Sequence, residues 1–365
     1  MTTMTTPAAA CGQRARLAVI DCDVHNHPPD NASLYPYLPA RWRRHLEMFG
    51  TRSCPGYLYP KGTPQAARHD AWPPGGGVPG SDLAFLRQQL LDAWNVEYSI
   101  LNCLFAPVVD LNTAFGAAMA RALNDWQRAE WLEPEPRLRA SIVVPFEDPT
   151  AAAAEIERLG DDPRFVQVLT TVRTRHPLGQ RAYWPIYEAA ERHGLPIGLH
   201  FGVSGGHPVT PSGWPSYYIE DHTGMMLAFQ AQLVSFVCEG VFVQFPRLHL
   251  ALLEGGFAWV PLLMWRLDRS WRALRDEVPW LTRPPSEYIR AHVRISTQPM
   301  EEPENPRYFD ELLTQFGCDE MLMFATDYPH WDFDAPDLAL PRSLEPALAR
   351  KIMAENARVL YRGLR

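Results

Sequence analysis

Ligand-capable side chains end several apolar runs of this sequence. Asp23 and His25 fall in Asp21-Cys22-Asp23-Val24-His25-Asn26-His27. Residues two apart on a strand share a side, so Asp23 and His25 project together, as two ligands of one cation must. His27 has the same parity, but Pro28-Pro29 turns the chain away. His200 closes Ile197-Gly198-Leu199-His200, Glu254 follows Ala251-Leu252-Leu253, and Asp327 follows Phe324-Ala325-Thr326. Each polar group ends a run that reads as buried, where an unpartnered one is costly. Singly, each has a plainer reading: an aspartate orienting a histidine, a hydrogen-bonded core histidine, a salt bridge, a turn cap. Jointly, a shared divalent transition metal is the simplest partner, and imidazole nitrogen with carboxylate oxygen suits zinc, iron or manganese.

Other residues extend the site. His222 is expected at the start of a long helix, where the dipole disfavours its charged form, with Asp221 as the helix cap. If His222 and Glu254 also bind metal, the site holds two ions rather than one. His330 and Trp331 lie just past Asp327 and are expected to contact substrate; Glu301, Glu302 and Asp332 are further candidates. Among twelve tryptophans, Trp72, Trp214, Trp259 and Trp331 fall in loops or near strand ends and suggest an aromatic-lined pocket.

Strands and helices must alternate to bring these positions together. Eight strand-like runs are expected at Leu17–Asp23, Tyr98–Cys103, Ala140–Pro145, Val166–Val172, Pro196–Phe201, Leu248–Glu254, Val293–Thr297 and Met321–Thr326. Helix-period segments separate them, some with clear ends: Asp148-Pro149 starts one and Gly194 stops another. The pattern predicts an α/β fold, a single (β/α)8 TIM barrel over residues 17–365, preceded by a flexible N-terminus, 1–16. Residues 26–81 interrupt the repeat as a long insertion rich in proline and glycine, with little regular structure expected. It leaves from the C-terminal end of the first strand, so it is either a lid or substrate loop, or a surface excursion.

Composition narrows the function. The 365 residues carry a net charge of −8, which argues against nucleic acid and against an anionic membrane surface. The apolar stretch 224–245 is broken by Gln230, Gln232, Ser235 and Glu239, too polar for a membrane span. Six cysteines form no CxxC pair, which favours a reduced, cytoplasmic protein. No phosphate loop, dinucleotide fingerprint or nucleophile elbow is found, so no nucleotide cofactor is expected. The expected partner is a small-molecule substrate.

Taken together, Ile20-Asp21-Cys22-Asp23-Val24-His25, Gly194 to His200, Leu253-Glu254-Gly255-Gly256 and Phe324 to His330 resemble the amidohydrolase superfamily. The resemblance is to its amidohydrolase-related branch, which includes aminocarboxymuconate semialdehyde decarboxylase, and runs from Val19 to the C-terminus. It implies metal ligands at Asp23, His25, His200 and Asp327, with Asp327 also handling a proton, and a homo-oligomer. Asp23 stands for the usual first histidine. Thr170-Thr171-Val172-Arg173 offers no lysine for a carbamylated bridge. Glu254 stands where decarboxylase members place an acid/base histidine. On that departure the expected reaction is hydrolysis: metal-activated water attacks an amide, ester, thioester or lactone carbonyl, and Asp327 or Glu254 carries the proton. The alternative is metal-dependent, non-oxidative decarboxylation of an aromatic or unsaturated acid.

Overall fold

The structure, a computed structural model, describes residues 17–51, 62–202 and 208–364. The expected flexible N-terminus, residues 52–61 of the insertion and residues 203–207 lie outside the described residues.

Eight strands form one parallel sheet in sequence order: β1 (Val19–Val24), β2 (Val96–Leu101), β3 (Leu138–Val143), β4 (Phe165–Thr171), β5 (Ile197–His200), β6 (Leu250–Leu253), β7 (Val293–Ser296) and β8 (Leu322–Met323). Each overlaps an apolar run expected from the sequence. These runs lack polar alternation because strands of a helix-covered parallel sheet are buried on both faces. The ends meet to close the barrel. Cys22 N–H donates to Phe324 O at 3.0 Å, Asp327 N–H to Asp23 O at 3.0 Å and His25 N–H to Tyr328 O at 2.7 Å. The Asp21 carboxylate reinforces this seam, accepting from Thr326 N–H at 2.9 Å and Thr326 Oγ1 at 2.6 Å.

Local chemistry sets the helices between strands. Asp148 caps Pro149–Leu159 by accepting from Ala151 N–H, with proline at the first position. Gly194 takes φ +63° and turns the chain from helix Trp184–Arg192 into β5. The long helix expected near His222–Gln244 is instead three: Tyr218–Gly224, Met226–Cys238 and Val241–Gln244. Gly240, with φ +78°, marks one break. Among the described residues no helix is long and apolar enough to cross a membrane.

The insertion is more regular than its prolines suggest. A helix runs over Ala40–Phe49, a stretch without proline, and buries Trp42 and Leu46, four apart, on one face. Trp42 packs against Phe115 of helix Thr113–Gln127, ring centroids 5.5 Å apart. Farther on, Arg68 N–H donates to Pro329 O and Trp331 N–H to Ala66 O. The insertion is thereby stitched to the loop that follows β8.

One charged node outside the site holds the approach to β3. Glu135 is buried and accepts from Arg87 Nε at 2.7 Å and from Arg137 Nε and Nη2 at 2.9 Å. The Arg137 hydrogen bonds outweigh burial and hold its carboxyl at about 2, below the ordinary 4.5. Glu135→Gln is expected to cost about 1–2 kcal/mol at neutral pH, because both arginines are partly solvated. A depressed carboxyl stabilises the fold above its unfolded value and loses this as pH falls through the folded one. The gap between wild type and variant in urea melts should therefore close as pH drops from 4.5 towards 2.

Candidate active site

Asp23, His25, His200 and Asp327 converge at the C-terminal mouth of the barrel. All are buried, and one ligand atom from each lies within 4.8 Å of the others. His25 Nε2 is 2.8 Å from Asp327 Oδ1 and 3.3 Å from Asp23 Oδ1, and His200 Nε2 is 3.0 Å from Asp23 Oδ2. Each histidine places Nδ1 2.6 Å from a backbone carbonyl, of Asn102 for His25 and of Phe201 for His200. A ring donating through Nδ1–H directs the bare Nε2 lone pair at the carboxylates, as a metal-binding histidine does.

A buried polar chain fixes Asp23 from below. Asn102 Nδ2 donates to Asp23 Oδ1 at 2.9 Å, while Asn102 Oδ1 accepts from Ser141 Oγ at 2.6 Å and Gln167 Nε2 at 3.2 Å. Tyr361, near the C-terminus, donates to Gln167 Oε1 at 2.9 Å. Gly198 makes room for this chain: a Cβ there would lie 2.4 Å from Gln167 Nε2. The sequence gives no periodic signal for Asn102, because it lies one residue past β2. Asp21 shares its strand parity with Asp23, a signal that could have found it.

Two site carboxylates sit on left-handed backbone, Glu254 at φ +55° and Asp327 at φ +59°. For non-glycine residues this costs about 1 kcal/mol and persists where surrounding bonds over-determine it. Ser296 Oγ accepts from Glu254 N–H at 3.1 Å. Glu301 Oε1 accepts from Phe257 and Ala258 N–H, both at 2.9 Å, holding the turn after β6. Asp327 Oδ1 also takes His330 Nδ1 at 2.8 Å, and its Oδ2 accepts from Gln298 Nε2 at 3.2 Å. His330 stacks on His25 with centroids 4.4 Å apart. Glu254 joins the cluster's edge: its Oε2 lies 3.4 Å from His200 Nδ1 but has no hydrogen-bond partner among the described residues.

The electrostatics are those of a buried anionic pocket. Burial pushes Glu254 and Asp327 well above the carboxylate range, with Asp332 and Asp23 adding to both and Glu254 to Asp327. Burial also lifts Asp21 to about 7. Burial pulls His25 down to about 4 and His330 well below its usual value. The charges of His200 and His25 outweigh burial at Asp23, which falls to about 2, and Asp23 likewise lifts His200 to about 9. An excess of carboxylates around two inward-turned imidazole Nε2 atoms is a donor set that fits a divalent cation.

His222 lies in the last turn of its short helix, not the first. Its Nε2 is 3.0 Å from Asp332 Oδ2, and it stands at the helix end opposite to the one expected. Asp221 is no cap: it is buried and accepts from Arg173 Nη2 at 2.5 Å. The cap is Tyr217, with Glu220 Oε2 accepting from Tyr217 N–H at 2.7 Å. His222, Glu254 and Asp332 form a second group able to approach one cation, and Glu254, Asp327 and His330 a third.

A cavity of about 660 Å³ opens above these groups, edged by His25, Glu254 and His330 and walled by Phe105, Val143, Phe146, Leu169 and Phe201. His27 also reaches it. No tryptophan is among its described lining residues. Trp331 is half-exposed and packs on His222 with centroids 5.0 Å apart. Trp259 is buried, its Nε1 donating to Gly255 O at 3.0 Å. The apolar wall comes from strand-end and loop phenylalanines and aliphatics instead.

Comparison with known proteins places these features. The chain is 28% identical over 300 residues to a gamma-resorcylate decarboxylase from Rhizobium sp. (strain MTP-10005), covering 77% of this chain and 88% of that one. Among solved structures, a 2,6-dihydroxybenzoate decarboxylase from Rhizobium superposes with TM-score 0.66 at 21% identity, covering 94% of this chain and 98% of the other. A 5-carboxyvanillate decarboxylase from Novosphingobium aromaticivorans, complexed with manganese and 4-hydroxy-3-methoxy-5-nitrobenzoic acid, superposes with TM-score 0.70 at 17% identity, covering 94% and 96%. These relatives overturn the expectation of hydrolysis. That expectation rested on Glu254 replacing a histidine, and burial raises this carboxyl well above its ordinary value, which favours its protonated form. A carboxyl that keeps its proton more readily has the chemistry an acid/base group needs. The amidohydrolase family model matches residues 22–363, and the chain belongs to that family.

Proposed function

We propose that this protein is a metal-dependent, non-oxidative decarboxylase of an aromatic carboxylic acid. The observation that carries the reading is Glu254: a buried acid whose Oε2 has no hydrogen-bond partner among the described residues, at the edge of an apolar cavity beside four residues able to hold a metal ion. The decarboxylase relatives and the manganese in one of the neighbouring structures support it.

Asp23, His25, His200 and Asp327 would hold a divalent cation, with manganese favoured over zinc or iron by that neighbour. When bound, such an ion supplies positive charge that anchors the substrate carboxylate and an adjacent oxygen. The protein's groups do the rest. Asn102 and Phe201 carbonyls keep both histidines turned inward. The apolar walls exclude water and accept the ring. In the reaction the bond from ring carbon to carboxylate breaks, carbon dioxide leaves, and the electron pair stays on the ring carbon. A proton must then reach that carbon. Asp327 is engaged by His25, His330 and Gln298, whereas Glu254 Oε2 is free to deliver one, so Glu254 is the acid. His330 edges the pocket on the substrate side, and Trp331 stands outside it. The insertion, which reaches the cavity through Thr63 to Ala66, acts as the substrate loop.

Manganese-loaded protein incubated with hydroxylated benzoic acids should release one carbon dioxide per acid consumed. Chelation should stop the release and added manganese restore it. No carbon dioxide from any such acid, at full metal content, overturns the reading.

A further inference from the structure

Asn26 has no role in the chemistry above, yet its environment is hard to explain without a ligand. It is only 1% exposed and lines the large cavity one residue beyond His25. Neither Nδ2 nor Oδ1 of its carboxamide has a hydrogen-bond partner among the described residues. A buried amide with both ends unpaired is costly and needs an explanation. Loose packing does not supply one, because the backbone here is fixed from two sides. Asn102 N–H donates to Val24 O at 2.8 Å, and His27 N–H to Gly80 O at 2.9 Å. Gly80, at φ +77°, lies so close that a Cβ would sit 2.3 Å from His25 O and 3.5 Å from Asn26 Cα. The end of the insertion thus presses on this turn, and Asn26 stays among the residues that line the cavity.

We propose that Asn26 is a binding subsite for a neutral hydroxyl on the substrate ring, a group beyond the carboxylate that the metal ligands serve. The proposal rests on the reading of this cavity as the substrate site. A hydroxyl is the small group that answers both unpaired atoms, accepting from Nδ2 and donating to Oδ1. A second carboxylate would accept from Nδ2 but repel Oδ1, and it would enter a pocket already rich in acids, including Glu254 and Asp327. His27, Pro79 and Phe105 also line the cavity, and the ring that carries the hydroxyl packs on the apolar two. The substrate class is a hydroxylated aromatic acid whose extra hydroxyl points at the turn after β1.

The test combines Asn26→Leu with a set of ligands. Binding of 2-hydroxybenzoate, and of its derivatives with one further hydroxyl at each ring position, is measured by calorimetry on manganese-loaded protein. In wild type, one position of the added hydroxyl should tighten binding about tenfold. In Asn26→Leu that gain should vanish, while binding of the parent acid changes little. Melting temperature without ligand should not fall, because leucine fills the space and removes an unpaired amide. Asn26→Ala carries the same comparison if leucine does not fit. The inference is overturned if no added hydroxyl helps wild type, if the gain survives in both variants, or if both melt several degrees lower. Carbon dioxide release is read separately. A hydroxyl gain that depends on Asn26 without decarboxylation would sink the proposed reaction and leave this subsite standing.

Discussion

Asp327→Asn should abolish turnover, with kcat at least about a thousandfold down, equivalent to about 4 kcal/mol of transition-state stabilisation. Asparagine keeps the volume and tolerates the φ of +59° at this position. It replaces the ionisable carboxyl that faces His25 Nε2 at 2.8 Å and His330 Nδ1 at 2.8 Å. Metal content by elemental analysis should fall with activity. The fold should not suffer, since the seam bond from residue 327 N–H to Asp23 O is made by backbone. Removing one of several crowded carboxylates also relieves repulsion among Asp21, Asp23, Glu254 and Asp332. Circular dichroism and the melting point of the metal-free variant should match or exceed wild type. Asp327→Ala should be as inactive but less stable, because alanine occupies left-handed backbone poorly. Full turnover by Asp327→Asn would remove Asp327 from both ligand and proton roles.

The barrel and the polar cluster at its mouth were readable from the chain for a physical reason. Parallel strands buried on both faces leave apolar runs, and a polar residue closing such a run is conspicuous. Asp23, His25, His200, Glu254 and Asp327 all announce themselves this way, and they meet at one mouth. What supports them is less visible. Asn102, Gln167 and Tyr361 build the hydrogen-bonded chain under Asp23, but each is one polar residue whose partner lies far along the sequence. The helix around His222 misled because Gly240 and the short turns near Met225 break an apolar stretch that reads as continuous. The tryptophans misled because size and hydrophobicity mark burial, not which cavity is lined. The reaction itself was misread at a single residue. Whether a glutamate acts as acid or base depends on how far burial and neighbouring carboxylates raise it, a property of three-dimensional surroundings.

That residue yields the second large effect. Glu254→Gln should lower kcat by about 10²–10⁴, the range for loss of a positioned proton donor. Substrate affinity should stay within a few-fold, because the cavity walls and the four proposed metal ligands are untouched. Metal content should be unchanged, which separates a proton-transfer defect from a ligand defect. Glutamine is nearly isosteric and Oε2 has no hydrogen-bond partner to lose among the described residues, so the melting temperature should not drop. The bond from residue 254 N–H to Ser296 Oγ is again backbone-made and survives. Glu254→His places another buried proton carrier at the end of β6 and should recover part of the lost rate, whereas Glu254→Ala should not. In heavy water, wild type should place one deuterium on the carbon that bore the carboxylate, and Glu254→Gln should slow that step in proportion to kcat. Wild-type kcat in Glu254→Gln would transfer the acid role to another group. A rate loss accompanied by metal loss would instead make Glu254 a ligand, a role its 3.4 Å approach to His200 Nδ1 does not require.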